Sequence, residues 1–148
     1  MLKYCLECWD KYKADLEDEL RRRTDLNICG YLDLVKMVVN NIFVEDVRWD
    51  SNKITVINDG DYQGTLLFLI PVDTYQPDEN EYLMTYVGYG SCSGCDTLQA
   101  IQIGWPDEKL TEGQVKDFMA LCKDIVTNTI RPYNFGWRSS ERFEVVEV

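Results

Sequence analysis

The sequence predicts an α+β fold, an antiparallel sheet of four to five strands flanked by two N-terminal helices and a long C-terminal helix. Three observations predict it. Apolar residues recur at helical spacing near both ends of the chain, the period changes to strand-like runs from residue 44 onward, and turn-forming residues separate those runs. With 148 residues, 45% of them apolar, the chain buries roughly 70% of the surface its unfolded form exposes, enough for one core. A single domain over 1–148 follows.

Leu2, Leu6, Trp9, Lys13, Leu16 and Leu20 recur at helical spacing with charge on the other face, so residues 2–23 read as an amphipathic helix. Arg21, Arg22 and Arg23 fall in its last turn, where cations suit the helix dipole. Gly30 marks a break, and Leu32, Val35, Val38, Val39, Ile42 and Phe43 give a second helix over 31–43. Val44 to Trp49 and Lys53 to Ile57 suit strands separated by Asp50-Ser51-Asn52. Asn58-Asp59-Gly60-Asp61 is a hairpin signal, since Asp-Gly accepts the positive φ of a type I′ turn. The partner strand runs from Tyr62 to Ile70, Pro71 and the polar stretch Asp73 to Asn80 end it, and Glu81 to Tyr89 forms the next.

Beyond residue 96 the pattern returns to helix. Asp96 to Ile103 presents Leu98 and Ile101, with Ile103 as a third candidate, as buried positions, and Gly104-Trp105-Pro106 ends the run. Thr111 with Gln114 makes a capping box, after which Val115, Phe118, Met119, Cys122, Ile125, Val126 and Ile130 continue an apolar stripe to Pro132. Residues 142–148 suit a final edge strand.

The charge is unevenly distributed. Of a net −11, the segment 43–108 holds 12 acids and 2 bases, and between Lys53 and Lys109 there is no basic residue. Such a field repels nucleic acid and attracts a basic surface, although acidic turns also serve solubility and discourage edge pairing. Histidine is absent, which removes Ser-His and Cys-His dyads and imidazole ligands and lowers the weight of hydrolase readings. No apolar run reaches the roughly 18 residues a membrane helix needs, and no signal-peptide core follows Met1. The chain therefore reads as cytosolic, with reduced thiols.

Two CxxC pairs, Cys5/Cys8 and Cys92/Cys95, stand beside lone Cys29 and Cys122. Four thiolates could make a structural zinc site from Cys5, Cys8, Cys92 and Cys95, but the first pair sits in a helical pattern without the glycine turn of a zinc knuckle. The second pair lies between a strand and a helix, where a dipole could lower one thiol's pKa for redox work. Asp96 beside it and the antiparallel sheet weigh against that. Packing of Cys92 and Cys95 in a glycine-rich turn is the third reading, and Cys29 and Cys122 read as small apolar residues. Asp59, Asp61 and Asp96 could converge as oxygen ligands for a hard cation such as magnesium if both glycine turns share one end of the sheet.

Asp59-Gly60-Asp61-Tyr62-Gln63-Gly64-Thr65-Leu66-Leu67-Phe68, together with Tyr89-Gly90-Ser91-Cys92-Ser93-Gly94-Cys95-Asp96-Thr97-Leu98-Gln99, resembles small uncharacterised proteins encoded by tailed bacteriophages. The likeness covers about the middle third of the chain and brings no catalytic residues. It implies a binder that modulates host machinery, some such proteins presenting carboxylates in place of nucleic-acid phosphates. The expectation is thus a non-enzymatic interaction protein without a cofactor, docking a basic partner through Asp73, Asp78, Glu79 and Glu81, with Tyr75 and Tyr82 as aromatic anchors. The alternative is a thiol-site protein holding zinc or a CxxC redox pair.

Overall fold

The computed structural model describes residues 1–22, 30–45, 47–61, 63–78, 81–91, 96–102 and 110–131. In chain order these form helices α1 (Leu2–Arg22) and α2 (Tyr31–Asn41), strands β1 (Thr55–Asn58), β2 (Gly64–Pro71) and β3 (Tyr82–Tyr89), and helices α3 (Thr97–Gln102) and α4 (Glu112–Thr127). The α+β class is as the sequence predicts.

Helix α1 buries Trp9, Leu16 and Leu20 of the expected stripe, but Cys5 and Cys8 in place of Leu2, Leu6 and Lys13. Cys5, Cys8, Trp9, Leu16 and Leu20 face the core, while Leu2 and Leu6 are half-buried and Lys13 is exposed. A thiol buries like a small aliphatic side chain, so the cysteines outrank the leucines once the helix docks. α1 packs chiefly on α4, and α2 rests against both. Arg21 bridges α1 and α4 at the surface, reaching Glu17 one turn back at 2.8 Å and Glu112 of α4 at 2.7 Å. Between the layers lie Leu16, Leu34, Val35, Phe118 and Ile125, all wholly buried. Each such side chain contributes about 1.5–3 kcal/mol by leaving water.

The sheet is antiparallel in the order β1-β2-β3. Its register sets Phe68 opposite Thr85 and Ile70 opposite Leu83, and these buried residues form the face that receives the helices. There the Thr85 hydroxyl donates to the Ile125 carbonyl at 2.8 Å, tying β3 to α4. The other face carries Ile57, Leu67 and Tyr86 in one cross-strand row and Thr55, Leu69 and Met84 in the next. Ile57 and Tyr86 remain about half exposed, at 46% and 48%.

Three strands, not four or five, are present among the described residues. The described residues of 44–49 form no strand. Their apolar positions fall at 44, 47 and 49 with two acids in succession between, which breaks the alternation a half-buried strand requires, and only Trp49 forms a bridge, to Val72. The strand expected over 142–148 lies outside the described residues. Helix α4 is also shorter than its apolar stripe: Ile130 leaves it to exchange both backbone hydrogen bonds with Met84 of β3, at 2.8 and 2.9 Å. The predicted capping box is present, Thr111 Oγ1 accepting from Gln114 N–H and Gln114 Oε1 from Thr111 N–H.

The β1–β2 connection is a five-residue loop, 59–63, not a two-residue turn. Gly60 and Gly64 pass back to back in it. A Cβ on Gly60 would come within 2.9 Å of the Gly64 Cα, and one on Gly64 within 2.8 Å of the Gly60 Cα. Space, and not a positive φ, is what requires glycine here. The loop is closed by side chains: Asp59 Oδ1 accepts from Thr65 N–H at 2.7 Å, and Asn58 Oδ1 accepts from Gly60 N–H and from the Tyr89 hydroxyl.

Candidate functional site

The connection from β2 to β3 carries the acids and aromatics singled out in the sequence. Residues 48–50 run antiparallel to 71–73: Trp49 bridges Val72, Asp50 N–H donates to the Pro71 carbonyl and Asp73 N–H to the Arg48 carbonyl, both at 2.8 Å. At the other side, Val72 N–H donates to the Glu81 carbonyl at 2.9 Å. The base of the loop is therefore held by backbone bonds from two directions, which reduces the ordering entropy lost on binding.

The six predicted contact residues fall into distinct environments on this frame. Tyr75 is 94% exposed, an unusual setting for a side chain of its apolar area. Asp78 is exposed beside it in the chain. Asp73 is exposed and forms a 3.3 Å ion pair with the Arg48 guanidinium. Glu81 turns back on the loop, its carboxylate accepting from Asp78 N–H while its own N–H donates to the Asp78 carbonyl. Tyr82 is half-buried in β3, and Glu79 lies outside the described residues. Presentation thus falls to Asp73, Tyr75 and Asp78, and Glu81 holds their scaffold.

Sequence reasoning missed what adjoins the loop. Arg48, which pairs with Asp73, also lines a groove of about 410 Å³ formed with Val39, Phe43, Val44, Val47 and Trp49. Val44 on its wall is 47% exposed. Trp49 is buried with the Arg131 guanidinium 5.4 Å from its ring centroid, and its indole N–H has no hydrogen-bond partner among the described residues. The irregular apolar spacing over 44–49 was the available signal that this segment is a groove wall and not a sheet strand.

The cysteines that can be located are core residues. Burial, with the neighbouring Cys8 thiol adding to it, pushes the Cys5 pKa up to about 12, and burial likewise raises Cys8 and takes Cys122 to about 12. Cys5 directs its thiol at the Thr129 carbonyl, 3.8 Å away. Such thiols are protonated at neutral pH and poor nucleophiles. Cys92, Cys95 and Cys29 lie outside the described residues, and among the described residues no three His, Cys, Asp or Glu side chains group as metal ligands do.

Asp96 does not turn toward Asp59 and Asp61. Its Oδ2 accepts from Gly90 N–H at 2.9 Å, and its Oδ1 accepts from the Tyr31 hydroxyl at 2.7 Å and from Gln99 N–H at 3.2 Å. Tyr31 in turn accepts from Leu98 N–H, and the Gln99 side chain donates to the Gly90 carbonyl. Burial alone would raise this carboxyl's pKa. The hydrogen bonds from Gly90, Tyr31 and Gln99 outweigh it and hold Asp96 below the usual carboxylate range, while burial and the adjacent carboxylate push Tyr31 up. Asp96 thus caps α3 and clasps the two flanks of the CxxC segment together.

Comparison of the chain with protein-family models, curated proteins and solved structures finds no match. No helix among the described residues is long and apolar enough to cross a membrane.

Proposed function

We propose that the chain is a non-enzymatic, phage-type binding protein that acts in the host cytoplasm by docking the acidic connection at residues 73–82 onto a basic surface of a host protein, such as a defence nuclease or another nucleic-acid-binding protein. The observation that carries this reading is the braced loop: backbone bonds to residues 48–50 and to Glu81 hold its base while Tyr75 projects at 94% exposure between Asp73 and Asp78. An exposed aromatic flanked by carboxylates suits the anatomy of an interface, in which a few aromatic anchors dominate affinity and charge steers the encounter. The −10 balance of residues 43–108 supports the same partner charge and opposes direct binding to nucleic acid.

Binding of this kind weakens as salt rises toward a Debye length of about 8 Å or less. The test is affinity purification from bacterial lysate with the wild-type chain and with a variant carrying Asp73→Lys, Asp78→Lys, Glu79→Lys and Glu81→Lys, followed by titration of any recovered basic protein at two salt concentrations. A salt-sensitive partner lost in the variant supports the reading. A basic partner retained at equal affinity by the variant overturns it.

A further inference from the structure

Among the described residues strand β1 forms one edge of the sheet, and every residue in it, Thr55 to Asn58, is exposed. Natural edges are ordinarily protected by brevity, charge, proline, a bulge or a covering element. At four residues β1 is short, but it carries no charge or proline, and it exposes Val56 at 41% and Ile57 at 46% on its two faces. We infer that β1 pairs antiparallel with β1 of a second copy of the chain, joining two three-stranded sheets into one of six strands.

The register of that pairing follows from the hydrogen bonds already made. Asp59 N–H donates to the Thr65 carbonyl, so in the alternating antiparallel pattern the backbone groups of Asp59, Ile57 and Thr55 face β2. Those of Ile54, Val56 and Asn58 consequently face outward. A second copy can bond only to this outward set, and the arrangement with the longest overlap places a two-fold axis at Val56, which then faces its own mate. Asn58 pairs with Ile54 across the axis and Thr55 lies opposite Ile57. The same register sets Lys53 opposite Asp59, twice by symmetry, so the single lysine before the strand and the first acid after it meet as opposite charges. Neither side-chain charge was used in choosing the register.

The apolar surface is continuous in this arrangement. The row Tyr86, Leu67, Ile57 of one copy extends into Thr55, Leu69, Met84 of the other. The loop acids Asp73 and Asp78 belong to the β2–β3 connection and not to the seam, where Lys53 faces the Asp59 of the other copy.

Sedimentation equilibrium on the full chain at loadings on the order of 100 μM, where small interfaces associate, reads the result directly. The wild type and Val56→Thr, which keeps the outward N–H, are expected to be dimers. Val56→Pro deletes that N–H and leaves the bonds of residues 55, 57 and 59 to β2 in place, so it is expected to be a monomer with unchanged circular dichroism. Lys53→Glu, at an exposed position outside the strand, is expected to raise the dissociation constant about tenfold by placing two like-charge pairs across the seam. A wild-type monomer at this loading, occupied by another partner or by none at the edge, overturns the inference. So does a dimer whose dissociation constant is the same in Lys53→Glu, which covers the case in which Val56→Pro fails to fold.

Discussion

The connection that enters β3 at Tyr82 and the one that leaves it at Tyr89 are both acidic, yet the first turns Tyr75 and Asp78 outward while the second folds Asp96 onto Gly90, Gln99 and Tyr31. The difference lies in the donors within reach. Around Asp96 a helix N-terminus, a strand end and a phenol supply hydrogen bonds in a buried space, and a carboxylate so satisfied stabilises the fold. In the loop the backbone donors are taken up by carbonyls, by residues 48–50 and by Glu81, which leaves Asp73 and Asp78 at the surface. Charge in the sequence is therefore not one quantity. Asp96 belongs to the architecture, and only part of the acidic segment is available to a partner.

The largest effect that can break this comparison is on Asp96. Asp96→Ala removes the acceptor for Gly90 N–H, Gln99 N–H and the Tyr31 hydroxyl together, two of which are buried. Leaving buried donors unsatisfied costs about 1–3 kcal/mol each, so a loss of about 3 kcal/mol is expected in urea unfolding. A change below about 1 kcal/mol would mean that the clasp does not hold the fold. Asp96→Asn keeps one acceptor oxygen and is expected to fall between.

The same residue gives a pH signature. Because Asp96 is held below its ordinary pKa when folded, its contribution is fully present above the unfolded value of about 3.9 and is lost as pH falls through the lower folded value. The stability difference between wild type and Asp96→Asn should therefore be constant from neutral pH to about pH 5 and shrink below about pH 4. A difference that grows on acidification would contradict the assigned hydrogen bonds.

Next in size is Gly60. Gly60→Ala drives a methyl group first against the Gln63 carbonyl and then against the Gly64 Cα, and relief requires the backbone of the 59–63 loop to shift. A loss of about 1–3 kcal/mol is expected, as for other overpacked positions. The substitution sharpens the comparison because it damages the sheet end at Tyr89 without touching the loop at 73–78, so partner binding should persist in the folded fraction.

The sequence made the helices legible because their caps and apolar periods are local. Thr111 with Gln114, Gly30 and the stripe from Val115 to Val126 are read within a few residues. Strands β2 and β3 were legible for the same reason, their limits shifting by one or two residues at most. Whether Leu2 and Leu6 or Cys5 and Cys8 face the core depends on a distant partner, α4, whereas the strand expected over 44–49 fails on a local signal, its broken alternation. In the candidate site, Asp73, Tyr75 and Asp78 were identifiable as exposed polar-loop residues. That Asp96 caps α3 through Gln99 N–H is a local pattern, but that it is buried and also bonds Gly90 and Tyr31 could not be read, because Tyr31 is brought to it only by the fold.

The smallest stability effect belongs to the loop, and there the comparison has its most direct test. The ion pair of Asp73 with Arg48 is solvent-exposed, with side-chain accessibilities of 43% and 87%, and pairs of that kind contribute about 0–1 kcal/mol. Tyr75 makes so little contact with its own chain that Tyr75→Ala should leave the unfolding free energy within about 0.5 kcal/mol of wild type. Affinity for the basic partner should respond in the opposite proportion, since truncating a central aromatic anchor typically costs about 2 kcal/mol or more, equivalent to roughly thirtyfold in dissociation constant. Asp96→Asn should show the reverse pattern, destabilised but binding normally once folded. If instead Tyr75→Ala binds as wild type while Asp96→Asn loses affinity at full folding, the recognition surface lies at the Tyr89 end of the sheet and the roles assigned to the two connections are exchanged.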